Sequence, residues 1–194
     1  MLETMNNLML LVAVFGVASI WGTKDKTEIE SVQPEQKYLY VTWEHHDALV
    51  QQIANQITES NWEFDTILCM ARGGSLAGLR LSHLMSDKEL ATIATKSYRG
   101  RNGMEQKELV VSEQIAMTSK NLGKRVLLVD DLVDSGISIE KVKERIFERH
   151  PEVEEIRTAV LFYKCCSIHT PNYIGEIADK ETWIVLPFEK AIVE

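Results

Sequence analysis

VLLVDDLVDSGIS, residues 126–138, runs four apolar residues straight into two adjacent carboxylates, Asp130 and Asp131. A third carboxylate, Asp134, precedes the pair Ser135-Gly136, and Ser138 follows Ile137. The run Val126 to Val129 lacks the alternation of a half-exposed strand, so it predicts a buried parallel strand. Ile139 to Arg149 comes next, with Ile139, Val142 and Ile146 at helical spacing. The acids and the Ser-Gly pair are therefore expected on a strand-to-helix turn at the carboxyl edge of a sheet, where open α/β folds hold their ligands.

The chemistry of that turn is two-sided. Amides around Ser135, Gly136, Ile137 and Ser138 open a helix, where unpaired N–H groups and the helix dipole favour a phosphate. Gly136 permits a tight backbone, and the two serines add hydroxyl donors. The carboxylates would repel that phosphate unless they face another part of the ligand. They suit sugar hydroxyls and Mg²⁺, which prefers oxygen ligands and bridges to phosphates. Phosphoribosyl pyrophosphate carries a terminal phosphate, a diol and a metal-binding pyrophosphate, and satisfies all of these. An acidic loop that merely caps its helix would show the same residue types. Neither GxGxxG nor GxxxxGK[ST] occurs, which sets aside a Rossmann or P-loop site.

The thirteen residues resemble the phosphoribosyl-pyrophosphate signature of the type I phosphoribosyltransferases. Strands alternating with helices along the rest of the chain fit a parallel α/β sheet. Strands are expected at Tyr38–Val41, Thr66–Met70, Leu90–Thr95, Val126–Val129 and Ile156–Tyr163, with Glu108–Val111 one arm of a hairpin. Helices are expected from Trp43, capped by Thr42, to about Ser60, and from Ser75 to Met85 with Leu76, Leu79 and Leu84 buried. Arg72-Gly73-Gly74-Ser75 forms a second turn of the same kind, whose glycines let amides approach an anion while Arg72 adds a cation. Two such turns at one sheet edge can hold the two phosphate ends of one ligand.

With both turns placed, the stretch from Tyr38 onward is similar to the xanthine-guanine phosphoribosyltransferases of purine salvage. YLYVTWEHH resembles their opening strand and helix, ARGG their pyrophosphate loop, SYRGRNGMEQKEL their mobile loop and ETWIVLPFE their C-terminal segment. The resemblance implies a parallel sheet flanked by helices with a small C-terminal hood over the base. It implies that Asp130 and Asp131 handle ribose hydroxyls and Mg²⁺, and that Asp134 to Ser138 hold the 5′-phosphate. Asp134 would also exchange a proton with N7 of the base. Arg72 and Gly73 would contact pyrophosphate, and Ser97, Tyr98 and Lys107 would close over it. Lys164 would hydrogen-bond the oxygen at purine C6, with Trp183 and Ile184 stacking on the base and reading its edge. The chain departs from the pattern at Ile137, where a small residue is usual, and in a longer mobile loop bearing Arg99 and Arg101. His45 and His46 receive no role.

The expected function is transfer of a phosphoribosyl group to guanine, xanthine or hypoxanthine. A non-catalytic sensor of phosphoribosyl pyrophosphate, or an enzyme with another acceptor, would keep the acidic loop. A sensor would not need Lys164 or Trp183. At 194 residues one catalytic domain is expected, 37–194, and the net charge of −8 argues against a nucleic-acid partner. The three cysteines make neither a disulfide framework nor a metal spacing, which suits a reducing compartment. Residues 1–36 are expected to lie outside the domain. Leu8–Trp21 is apolar but short for a spanning helix, which takes about 17–25 residues. Membrane anchor or signal, targeting remnant and upstream extension all fit it. The substrates imply a cytoplasmic location, membrane-tethered if the segment is an anchor, and the family habit implies a homo-oligomer.

Overall fold

The computed structural model describes residues 37–99 and 106–189, with the backbone alone for 97–99 and 106–108. The apolar segment Leu8–Trp21, the linker after it and the expected boundary at residue 36 lie outside the described residues. Among those residues no helix is long and apolar enough to cross a membrane.

The elements run β1 (Tyr38–Tyr40), α1 (Trp43–Glu59), β2 (Thr66–Ala71), α2 (Gly74–Leu84), β3 (Glu89–Arg99) and β4 (Gln106–Ala116). They continue with β5 (Arg125–Val133), α3 (Ile137–Arg149), β6 (Glu155–Lys164), β7 (Tyr173–Ala178) and β8 (Trp183–Val185). The main sheet has the order β4-β3-β2-β5-β6-β7, parallel except for the antiparallel edge strand β4. From β2 the chain steps outward to β3, then returns to β5 on the other side. The topological switch point therefore lies between β2 and β5.

Alternation along the strands loads both faces of the sheet. Ile67, Cys69, Leu127 and Val129 pack beneath α1 and α2 with Leu49, Ile53, Ile57, Ala77 and Leu81. Leu68, Met70, Val126 and Leu128 pack on the other face with Ile139, Val142 and Ile146 of α3. The expected stripes of α1 and α3 are buried, and Thr42 Oγ1 caps α1 by accepting from His45 N–H at 3.1 Å.

Three expectations are corrected. Leu79 of α2 is exposed, and Gly74, Ala77, Gly78 and Leu81 form the buried face instead. Gly78 sets that rotation, because a Cβ there would overlap the Cys69 sulfur, so the helix approaches the sheet along its small residues. Strands β3 and β4 reach to Arg99 and back from Gln106, well past the expected stop at Thr95. Strand β7 was not expected at all; it pairs in parallel with β6 from Ala159↔Tyr173 to Lys164↔Ala178.

Parallel strands β1 and β8 form a separate two-stranded sheet with Tyr38 opposite Trp183. Ile184 and Leu186 join the core on the α1 side, while Trp183 faces outward. This sheet stands where the resemblance puts a small C-terminal hood, with β1 as the second strand.

Candidate active site

Strands β2, β5 and β6 are in register, with Cys69 opposite Val129 and Val133 opposite Tyr163. Their carboxyl ends therefore bring Arg72, Asp130 to Asp134 and Lys164 to one edge of the sheet. Asp130 and Asp131 lie inside β5 rather than on the turn after it. The strand continues because Asp130 still pairs with Val160, and Leu132 with Phe162. Both acids are half-buried there. Burial, and then the neighbouring Asp131 charge, push the Asp130 carboxyl well above its usual range; burial also raises Asp131. The Asp131 amide donates to Asp130 Oδ1 at 3.0 Å.

The Arg72-Gly73 turn closes against this pair. A Cβ on Gly73 would overlap the Asp131 carboxylate, and one on Gly74 would overlap the Val129 carbonyl. Both positions need glycine for that close approach. The Ala71–Arg72 peptide is cis, and the Arg72 side chain is exposed.

Helices α2 and α3 both open at this edge, from Gly73 and Gly136, and neither has a side-chain cap. Helix α1, which holds none of the expected site residues, is capped by Thr42. Local bonds take part of each first turn: the Gly74 amide donates to the Asp130 carboxylate, the Ser75 amide to the Arg72 carbonyl at 3.1 Å and the Ile137 amide to Ser135 Oγ at 3.4 Å. The positive ends of both helix dipoles nonetheless open at the two expected phosphate positions. Gly136 has φ +82°, and a Cβ there would strike Ser167 Oγ. Ile137 and Ser138 sit in the first turn of α3, and Ile137 is 38% exposed.

Lys164 ends β6 and, although charged, is only 7% exposed. Its Nζ lies 3.7 Å from Asp134 Oδ2, and that carboxylate is itself 63% exposed. A buried ammonium and an open carboxylate thus stand side by side, a donor next to an acceptor. Strand β7 ends at Ala178 opposite Lys164 and passes through the Asp179–Thr182 turn into β8. Trp183 is 49% exposed and Ile184 is buried, with the Trp183 amide donating to the Lys37 carbonyl at 2.7 Å. Ser97 and Tyr98 lie in β3 and pair with Leu109 and Glu108; Lys107 lies in β4. Their side chains, and residues 100–105, are outside the described residues.

Sequence reasoning missed the scaffold behind the phosphate turn. His169 is buried and joins Glu140 of α3 through Nδ1 (2.5 Å) to Thr158 of β6 through Nε2 (2.9 Å). Burial pushes the Glu140 carboxyl up, but the hydrogen bonds from His169 and Lys143 outweigh it, and the net shift is downward. Nothing in the sequence links residues 29 positions apart. Glu189 was missed too; its charge acts on Asp131.

Asp130 and Asp131 are the residues that could hold a divalent cation. Among the described residues no cluster of three or more His, Cys, Asp or Glu has metal-site geometry. Two acids whose ionisation is opposed by burial fit Mg²⁺, which takes one or two carboxylates and completes its shell with water and substrate phosphates.

Comparison with known proteins agrees with this geometry. The chain is 29% identical over 157 residues to the xanthine-guanine phosphoribosyltransferase of Gluconobacter oxydans, covering 79% of this chain and 86% of that one. It is 28% identical over 164 residues to the same-named protein of Cereibacter sphaeroides, covering 82% and 91%. The crystal structure of purine phosphoribosyltransferase from Pyrococcus horikoshii superposes with a TM-score of 0.66 at 32% identity, over 81% of this chain and 98% of that one. The family model for the phosphoribosyl transferase domain matches residues 41–188, and the chain belongs to that family.

Proposed function

We propose that this protein is a purine-salvage phosphoribosyltransferase that joins a 6-oxopurine to the ribose of phosphoribosyl pyrophosphate and releases pyrophosphate. The observation that carries the reading is the Lys164 ammonium beside the Asp134 carboxylate at the carboxyl edge, 3.7 Å apart. A 6-oxopurine presents its C6 oxygen and N7 side by side. Lys164 donates to the oxygen, and Asp134 accepts the proton that N7 gives up as N9 forms the bond to the anomeric carbon. The C1–O bond to pyrophosphate breaks in the same displacement. Arg72 and the N-terminus of α2 meet the charge that builds on the leaving pyrophosphate, and the N-terminus of α3 holds the 5′-phosphate. Asp130 and Asp131 orient the ribose hydroxyls. They would also hold Mg²⁺, which when bound supplies charge neutralisation at the pyrophosphate. Closure of the β3–β4 hairpin through Ser97, Tyr98 and Lys107 would exclude water from the activated sugar.

A non-catalytic sensor of phosphoribosyl pyrophosphate has no use for the Lys164–Asp134 pair, and the relatives at 28–32% identity bear purine phosphoribosyltransferase names. The test is a panel of nucleobases with phosphoribosyl pyrophosphate, with and without Mg²⁺, scored by pyrophosphate release. Turnover of a 6-oxopurine, lost with chelator, is the expected result; binding of phosphoribosyl pyrophosphate without turnover of any base would favour the sensor. A cytoplasmic location and a homo-oligomer complete the proposal, checked by fractionation of the full chain with and without detergent and by its mass in solution.

A further inference from the structure

Cys165 and Cys166 occupy the two central positions of a hydrogen-bonded turn, in which the Ser167 amide donates to the Lys164 carbonyl at 3.0 Å. Both thiols are exposed, whereas Cys69 is buried and its thiol is pushed up to about 11 by that burial. The turn is tied to the active site at both ends. Its first residue is Lys164, whose Nζ faces Asp134 at 3.7 Å. Just past its last residue, the Ile168 amide donates to the Ser135 carbonyl at 3.0 Å, and Ser167 Oγ fills the space that a Gly136 Cβ would take. A change in this turn therefore reaches the base-reading lysine and the phosphate loop together.

We propose that Cys165 and Cys166 form a thiol-modification site that takes a small-molecule disulfide and, once closed into a vicinal disulfide, weakens purine binding. The second half rests on the assignment of Lys164 to the base. One cysteine thiolate attacks a sulfur of glutathione disulfide, forming a mixed disulfide and expelling one glutathione thiolate. The neighbouring thiolate then attacks the protein sulfur of that bond and expels the second. Two electrons pass from the cysteine pair to the incoming disulfide, and the two thiol protons leave with the two glutathiones. Adjacent Cα atoms across a trans peptide are about 3.8 Å apart, less than the roughly 4.4–6.8 Å that a relaxed disulfide spans. Closing the ring therefore bends the backbone of the turn, and the strained bond is readily reduced again. An accessible thiol with a resolving partner beside it is the arrangement that reversible thiol chemistry requires.

The experiment treats the full chain with glutathione disulfide and follows it by peptide mass, hydrogen exchange and guanine binding. The expected result is a mass loss of two hydrogens confined to the peptide holding Cys165 and Cys166, with Cys69 untouched. The Ile168 amide then exchanges faster, guanine binds about tenfold more weakly or worse, and dithiothreitol reverses all three. The doubly substituted Cys165→Ser, Cys166→Ser protein should bind guanine normally and ignore the oxidant. A persistent mixed disulfide, an unmodified pair, or a closed pair with unchanged Ile168 exchange overturns the proposal. If neither redox state binds guanine, the fault lies with the reading of Lys164, because mass and exchange report the thiol site without substrate.

Discussion

Asp134 and Lys164 differ in burial, and that difference separates what their substitutions should do. Asp134 is 63% exposed, so Asp134→Ala removes little packing, though it takes away the carboxylate beside the buried Lys164 ammonium. Its proposed role as proton acceptor predicts a fall in turnover of about 10²–10⁴-fold, measured by pyrophosphate release at a temperature where the variant is shown to be folded. Near-normal turnover would remove Asp134 from the mechanism. Lys164 is 7% exposed, and truncation to alanine would mix lost packing with the lost donor. Lys164→Met keeps most of the stem and removes only the ammonium. A hydrogen bond from a charged donor is worth roughly 1.5–3 kcal/mol, so purine binding should weaken about tenfold to a hundredfold while phosphoribosyl pyrophosphate binds as before. Calorimetry with each ligand checks this, and an equal loss for both would make Lys164 a support of the fold. That these residues meet at one edge of the sheet was legible because their motifs are local in sequence: ARGG and DDLVDSG each fall within a few positions at the end of an apolar strand. The burial of Lys164 was not legible, since the end of a strand gives no sign of what the neighbouring strand and turns place around it.

Two left-handed glycines, at opposite edges of the sheet, test what the elements contribute. Gly136 (φ +82°) opens α3 at the carboxyl edge, and Gly123 (φ +76°) precedes β5 at the amino edge beside Asp65. A side chain at either position is strained, by about 1–3 kcal/mol for the conformation alone, and would also meet a neighbour: Ser167 Oγ at Gly136, the Asp65 side chain at Gly123. Gly136→Ala and Gly123→Ala should both lower stability in urea titrations. Only Gly136→Ala should also weaken phosphoribosyl pyrophosphate binding, because only its amides face the ligand edge. Equal effects on binding would mean that the phosphate turn is held by the fold as a whole. At this scale the sequence revealed strands with strong apolar runs and concealed those without them. Strand β7 reads YIGEIA, interrupted by a glycine and an acid, and its Gly175 is needed because a Cβ would crowd the Leu161 carbonyl and Leu49. Strands β3 and β4 extend through polar residues because they pair with each other at the sheet edge, where neither face demands an apolar pattern. The exposed side of α2 was misjudged for a related reason: Gly74 and Gly78 contribute no hydrophobicity, yet their closeness to the sheet fixes which face is buried.

For the molecule as a whole, the acids proposed to serve the ligand work against the unliganded fold. Burial, then Asp131, raise Asp130 well above its ordinary value of 3.8, so the folded state holds a proton that the unfolded state has released. Stability therefore falls as pH climbs from that ordinary value through the folded one. Glu89 has the opposite sign: hydrogen bonds from the Thr118 and Ser119 side chains and amides lower it from 4.5 to about 2, so its contribution is present above 4.5 and lost as pH falls toward 2. The His46 ring, shifted downward by burial, adds stability as pH rises toward its ordinary 6.5. Comparing the protein with its Asp130→Asn variant cancels the last two contributions and leaves the first together with its coupling to Asp131. An asparagine oxygen can still accept the Asp131 amide, so the backbone contact survives. Asp130→Asn should melt higher at neutral pH without ligand, and its advantage should shrink as pH drops toward 4, where wild-type Asp130 is itself neutral. With Mg²⁺ and phosphoribosyl pyrophosphate at a hundred times the dissociation constant, wild-type protein should gain about 2.7 kcal/mol, and the variant, lacking one carboxylate for ribose and metal, should gain less. Scanning calorimetry across pH, with and without ligand, reads both differences. A variant that melts lower at neutral pH would show Asp130 to be a structural acceptor, and the carboxylate pair would lose its place as the site where stability is given up for binding.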